Sequence, residues 1–463
     1  MNNSSTKKVG TRAVVFMIMT SCLGIRWIPV AGSLGPTAIL FWLLGTLIFF
    51  IPLSLMVMEM ALNFRDSGGI TVWVRQGLGR KAGFYVSWFY WVNNVFYYPG
   101  LLTFIAVNLV YLIGDHTLAD NRGFIVAIVL ICFWGAVWFN IAGIHLVAKL
   151  TTLSGLFNFR LGLMFVIAGA YYLLNAKNSA TSFAPSSFIP QHDIWRSLSD
   201  FSILMFALAG VEVIPTICNS MENPEKNLFR AIVIGGSLLV ILYILGTVSI
   251  NLVLTPKELS GTTGLVASMY KIIERLHWSP LVVQFFIVSL MFVEFGGLNL
   301  WLITSSIIFF QSNDKGLLPE WLQRLNKNYV PANALIAQGV LVTVIVLATK
   351  FLPSVESIYL ILILMATIIY FLPFIFLSLT YIRLRRKQRL KKIFIPRWLV
   401  YPLAITVITA VSLAIALSFV PPEDLKTTRD IIIYELELGG GPLLFLLVGV
   451  VIYARRNRRI TLH

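Results

Sequence analysis

The sequence predicts an all-α polytopic membrane protein with about 12 transmembrane helices, and three observations carry that expectation. Of 463 residues, 58% are hydrophobic and only 12% charged, against roughly 45 to 50% and about 25% in soluble domains. The apolar residues fall in runs near the length of about 20 residues that a helix needs to cross a hydrocarbon core about 30 Å thick. The runs show no sustained apolar/polar alternation and are roughly two to three times too long for barrel strands, which sets a β-barrel aside.

Read between charged or Pro/Gly-marked breaks, the expected helices occupy 12–36, 38–63, 83–113, 123–143, 150–175, 197–219, 228–254, 279–311, 333–352, 355–382, 398–420 and 438–455. No linker rich in Pro, Gly or Ser separates soluble units, so residues 1–463 are expected to form a single transmembrane domain. The first run, from Ala13, is too long for a cleavable signal peptide and leads directly into further spans. Cys22, Cys132 and Cys218 all lie inside apolar runs, which supports neither a disulfide framework nor a zinc site. His145, His192 and His277 carry no metal spacing, and no metal or cofactor is expected. No P-loop, zinc signature or nucleophile triad is present, so ATP-driven transport and hydrolysis lack support and the chain is read as no enzyme.

The 36 Lys and Arg against 20 Asp and Glu, a net +16, are placed by topology. With a cytoplasmic N-terminus, most cations fall on the inner side: Lys7, Lys8 and Arg12, Lys149, the cluster from Arg383 to Arg397, and Arg455 to Arg459. By the positive-inside rule both termini are cytoplasmic, in a plasma (inner) membrane. The run RLRRKQRLKK from Arg383 follows a span directly, so lipid headgroups, not nucleic acid, are its expected partners.

Two spans are interrupted, the first by SCLGI (Ser21 to Ile25) and the sixth by ALAGVE (Ala207 to Glu212). One glycine break in a membrane helix is unremarkable, because Gly is common there. Two breaks five helices apart point to a transporter built from inverted repeats, since unwound backbone is tolerated at membrane depth only where it lines a cavity.

The segments SCLGIRWIPVAGSLGP, MEMALNFRDSGGITVWVRQGLG and FALAGVEVIPTICNSMENPEKNLFRAI make the chain, from about Thr11 to Tyr381, similar to the amino acid-polyamine-organocation superfamily of transporters. The wording of the first two helices is closest to the bacterial glutamate/γ-aminobutyrate antiporter group. The resemblance implies a five-plus-five inverted repeat with broken helices 1 and 6: 12–175 is the first repeat, 197–382 the inverted second, and 398–455 holds two accessory helices. It implies a secondary active amino acid antiporter working by alternating access, exchanging an amino acid for another or for its decarboxylated amine. A proton-coupled uptake permease and a non-transporting nutrient sensor are the rival readings. Family members hold the substrate on the exposed backbone of the broken helices, which here points to Ser21, Cys22, Leu23 and Gly24 for the carboxylate and to Phe206, Ala207, Ala209 and Gly210 for the amino group. Helix dipoles agree with that division. The superfamily's glycine-serine-glycine run is replaced here by Ser21 to Gly24, which alters the side-chain pocket.

A charge at mid-bilayer costs at least about 2.5 to 3.5 kcal/mol on insertion scales, so each needs a partner or a function. Glu59, near the cytoplasmic end of the second helix, is expected to pair with Arg65 or reach water. Glu212 is expected to cap freed N–H groups after the sixth-helix break, to link substrate and proton, or both. Glu294, in FVEFGGLNLW, is the first candidate for a proton site, because burial disfavours its ionised form; the alternative is a carboxyl paired with Arg26 or Arg160. In several sodium-independent relatives a basic residue on the fifth helix stands where the coupling sodium would bind, which nominates Arg160 unless it pairs with an acid. Arg26 is expected either to snorkel toward the outer vestibule or to touch substrate. Trp88, Tyr90, Trp91, Tyr97, Tyr98 and Trp301 are expected mostly to pack or to sit in the interfacial belt, and Asn94 and Asn299 to bind neighbouring helices or a substrate side chain.

Overall fold

A computed structural model describes residues 10–64, 69–176, 178–190, 194–212, 223–311, 318–328, 330–351, 354–390, 394–421 and 428–460. Among the described residues all regular structure is helical. In a bilayer each backbone N–H and C=O must find a partner within the protein, and apolar runs of this length do so as helices. Among the described residues nine helices are long and apolar enough to cross a membrane, with shorter apolar helices at Ser197–Ala207 and Ala332–Ala348.

The first expected span is two pieces, α1 (Thr11–Cys22) and α2 (Trp27–Gly32), separated by non-helical backbone. Then come α3 (Thr37–Asn63), α4 (Gly69–Leu78), α5 (Arg80–Ile113), α6 (Arg122–Ala142), α7 (Ile144–Ala176) and α8 (Ile194–Ala207). They are followed by α9 (Pro224–Val253), α10 (Gly264–Leu276), α11 (Leu281–Gln311), α12 (Ala332–Ala348), α13 (Val355–Arg386), α14 (Arg397–Leu417) and α15 (Thr428–Ile460). Helix ends carry their local signals. Asn121 accepts the Phe124 N–H at 3.1 Å to start α6, and Gly114, in the left-handed region at φ +85°, closes α5.

Several bounds differ from the sequence expectation. The DSGGITVWVRQGLG stretch, expected as a cytoplasmic loop, contributes α4, whose residues Gly69 to Val74 are buried. Helix α7 begins immediately after Gly143 instead of at residue 150. The sixth span stops as a helix at Ala207, and residues 213–222, which include Cys218, lie outside the described residues, as do Arg65 and His192. Cys22 and Cys132 are free thiols.

Helices α5 and α13 form the centre: 72% and 78% of their apolar windows are buried, against 33% for α14 and 17% for α15. Polar contacts bind this core. Asn140 on α6 donates to Asn299 on α11 at 2.7 Å, and Tyr98 meets Ser305 at 3.2 Å. Four aromatics of α5 are core residues: Trp88, Tyr90, Trp91 and Tyr98 are all buried within the protein. Glu59 is fully buried beside Arg385, at 3.0 Å, and accepts the Tyr381 hydroxyl and the Ile395 N–H, each at 3.2 Å. Arg385, in the last turn of α13, therefore fills the role expected of Arg65.

Candidate functional site

The interruption between α1 and α2 frees peptide groups that need partners at membrane depth, and side chains from two other helices supply them. The Tyr243 hydroxyl on α9 accepts the Gly24 N–H at 3.0 Å and lies 2.8 Å from the Cys22 carbonyl and 3.2 Å from the Ala207 carbonyl. Its single proton serves one of those carbonyls at a time, so one phenol touches both the break after α1 and the end of α8. Asn158 on α7 donates to the Leu23 carbonyl at 2.6 Å. The Tyr243 ring is fixed by Trp42, stacked at 4.3 Å and 3°. Trp42 in turn donates to Thr247 at 3.1 Å, and Thr247 donates to the Tyr243 carbonyl at 2.7 Å.

At the end of α8, Gly210 adopts φ +121°, a region that side chains other than glycine's rarely occupy. A Cβ there would stand 2.7 Å from the Ser21 carbonyl oxygen, so the two breaks meet backbone to backbone. The Gly210 N–H donates to Glu212 at 3.0 Å, and the Tyr370 hydroxyl on α13 donates to the other carboxyl oxygen. Glu212 thus caps the break itself. Gly24 has an ordinary φ; what its missing Cβ makes room for is the Trp27 indole, 2.6 Å away.

Between the breaks lies a cavity of about 740 Å³, mouth included. Ser21, Cys22, Leu23, Gly24, Phe206, Ala207 and Ala209 all line it, with Gly210 immediately behind. The opposite wall comes from Asn93, Asn94 and Tyr97 on α5, Ser154 and Asn158 on α7, Glu294 and Trp301 on α11, and Tyr370 on α13. The Asn93, Asn94 and Asn158 side-chain carbonyls are buried without hydrogen-bond partners among the described residues. Among the described residues Arg26 and Glu294 are the one cation and the one carboxylate in the wall, and they face each other at 3.3 Å. Arg26 also donates to the Tyr97 hydroxyl at 2.7 Å and lies over the Trp27 and Tyr97 rings at 4.2 and 4.8 Å.

Two expectations change. Arg26 is 2% exposed and locked to α5 and α11, so it does not snorkel outward. Arg160 is exposed and does not line the cavity. At 100° per residue it stands about 200° around α7 from Asn158, which is the fifth-span side chain that reaches the break. Tyr243, Asn158, Ser154 and Tyr370 were not singled out from the sequence. Polar groups within apolar spans were their only signal, and such groups as often serve helix packing.

Tyr243→Phe tests this arrangement. It strands the Gly24 N–H and removes the donor to Cys22 and Ala207. An unsatisfied buried group costs about 1 to 3 kcal/mol, so apparent substrate affinity should fall about tenfold with membrane levels kept. An unchanged KM in radiolabelled uptake would mean that the hydroxyl does not shape the site.

A bundle of membrane-crossing helices, with a polar cavity walled by the interruption of one helix and the broken-off end of another, is the architecture of a solute transporter. The amino acid permease family model matches residues 9–442, and the chain belongs to that family. It is 27% identical to an uncharacterized transporter of Legionella pneumophila over 96% of both chains. It is 28% identical to a glutamate/gamma-aminobutyrate antiporter of Lactococcus lactis subsp. cremoris, over 66% of this chain and 61% of that one. A probable agmatine/putrescine antiporter of Lactococcus lactis subsp. lactis is 27% identical over 76% of this chain and 74% of its own.

Proposed function

We propose that the protein is a secondary active amino acid antiporter of the inner membrane, working by alternating access on twelve spans with both termini cytoplasmic. Helices one to five and six to ten form the inverted repeats, and α14 and α15 are accessory. The observation that carries this reading is the cavity at the meeting of the two interruptions, lined by Ser21 to Gly24 and by Phe206, Ala207 and Ala209. The substrate carboxylate is assigned to the first break and the amino group to the second. The one cation and one carboxylate that the described residues place in the wall are paired with each other, so the cavity suits an amino acid or amine whose charges the freed backbone groups complete. The antiporter names of two relatives support exchange.

Counterflow into proteoliposomes tests it. Labelled amino acid should accumulate against unlabelled internal substrate with no ion gradient. Accumulation only under a pH gradient would replace exchange with proton-coupled uptake, and binding without flux would favour a sensor.

A further inference from the structure

Arg160 occupies a position that the cavity does not explain. It lies centrally in α7, on the face that also carries Leu153, Leu163, Ile167 and Leu174, which are 48, 41, 58 and 73% exposed. Those residues recur at helical spacing and make this the lipid-facing stripe of the helix. A guanidinium centred on such a stripe needs a counter-charge from outside the bundle. Lys149, also exposed, lies eleven residues below on the same face, about 16 Å along the axis. That separation lets the two side chains, only partly extended, reach one phosphate from its two sides. Arg12, exposed at the start of α1, extends the same seam: one turn after it, Phe16 meets Phe159 edge-on at 6.4 Å.

We propose that this seam between α1 and α7 is a binding site for an anionic phospholipid, its phosphate held between Arg160 and Lys149 and its chains laid along the leucine stripe. Arginine suits a phosphate because its planar fork donates two parallel hydrogen bonds. The positive-inside reading places the seam in the cytoplasmic leaflet, where anionic lipid is available to basic pockets between spans. A second copy of the chain offers a poorer counter-charge, because three of the acids set within the described spans are engaged inside the bundle, and the exposed Glu435 and Glu437 lie toward the start of α15, its outer end in this orientation. Glu59 faces Arg385, Glu294 faces Arg26, and Glu212 holds Tyr370 and the Gly210 N–H.

Native mass spectrometry of the full chain, titrated with phosphatidylglycerol or phosphatidylcholine of matched acyl chains, tests the proposal without requiring flux, so its failure is separable from failure of the transport reading. The parent should bind one phosphatidylglycerol with about fivefold or greater preference, the scale set by one or two basic residues near a membrane surface. Arg160→Gln should reduce that preference to the phosphatidylcholine level, Arg160→Lys should keep part of it, and Arg397→Gln, an exposed cation at the start of α14, should leave it unchanged. Removing a charge from a lipid-facing stripe does not impair insertion, so the Gln variant remains measurable. Equal preference in parent and Arg160→Gln, displacement by inorganic phosphate, or an Arg160-dependent dimer in the same spectra would each overturn the assignment.

Discussion

Gly210→Val is expected to abolish counterflow while the protein stays in the membrane at parental levels. The residue is held at φ +121°, and forcing a side chain into such backbone costs on the order of 1 to 3 kcal/mol. Its Cβ would also stand 2.7 Å from a backbone oxygen, that of Ser21, which has no rotamer to escape by. The strain therefore falls on the junction of the two breaks and on the cavity wall beside it, leaving the lipid-facing helices that determine insertion untouched. Gly24→Val is expected to be milder, because the atoms it meets belong to the Trp27 indole, a side chain that can shift. Parental counterflow in the Gly210 variant would remove the junction from the transport pathway.

Glu294→Gln is the second large effect. It leaves the Arg26 guanidinium buried without its counter-charge, and breaking a buried pair from one side typically costs about 3 to 5 kcal/mol. Thermal stability in detergent and exchange flux should both fall sharply, and Arg26→Gln should do much the same. The double variant replaces two charges with two neutral amides, so its loss of stability should fall short of the sum of the single losses by about 1 to 3 kcal/mol, as expected of residues in direct contact. Additive losses would mean that the 3.3 Å pair carries no coupling. An altered pH profile in Glu294→Gln alone, with stability unchanged, would instead return Glu294 to the role of a titrating proton site.

Hydropathy located most long spans within a few residues, because a twenty-residue apolar run has one way to satisfy its backbone in lipid. It missed α4 for the converse reason: GITVWVRQGL is short and amphipathic, and its apolar side is buried against protein, a setting hydropathy does not register. The two breaks were legible because glycine at membrane depth is informative when it recurs in corresponding spans. Seven of the eight residues nominated there line one cavity, and the eighth, Gly210, backs it. What the sequence concealed was rotation. Arg160 and Asn158 are two residues apart, yet about 200° separates a lipid-facing side chain from one that binds the Leu23 carbonyl. Partners far apart in the chain were equally hidden. Glu59 finds Arg385 where the nearest cation in sequence was Arg65, and Tyr243 reaches backbone groups of both breaks from a third helix.

The cysteine at the first break allows the central claim to be tested directly. Cys22 lines the cavity, and Cys132→Ser with Cys218→Ser would leave it as the only thiol in the chain. In that background, provided exchange persists, a small methanethiosulfonate reagent should modify Cys22 and block flux. Saturating amounts of a transported amino acid should slow the modification at least about tenfold, because substrate bound across the breaks covers the thiol. Modification at the same rate with and without every transported amino acid would contradict a substrate site at the junction of the two interrupted helices.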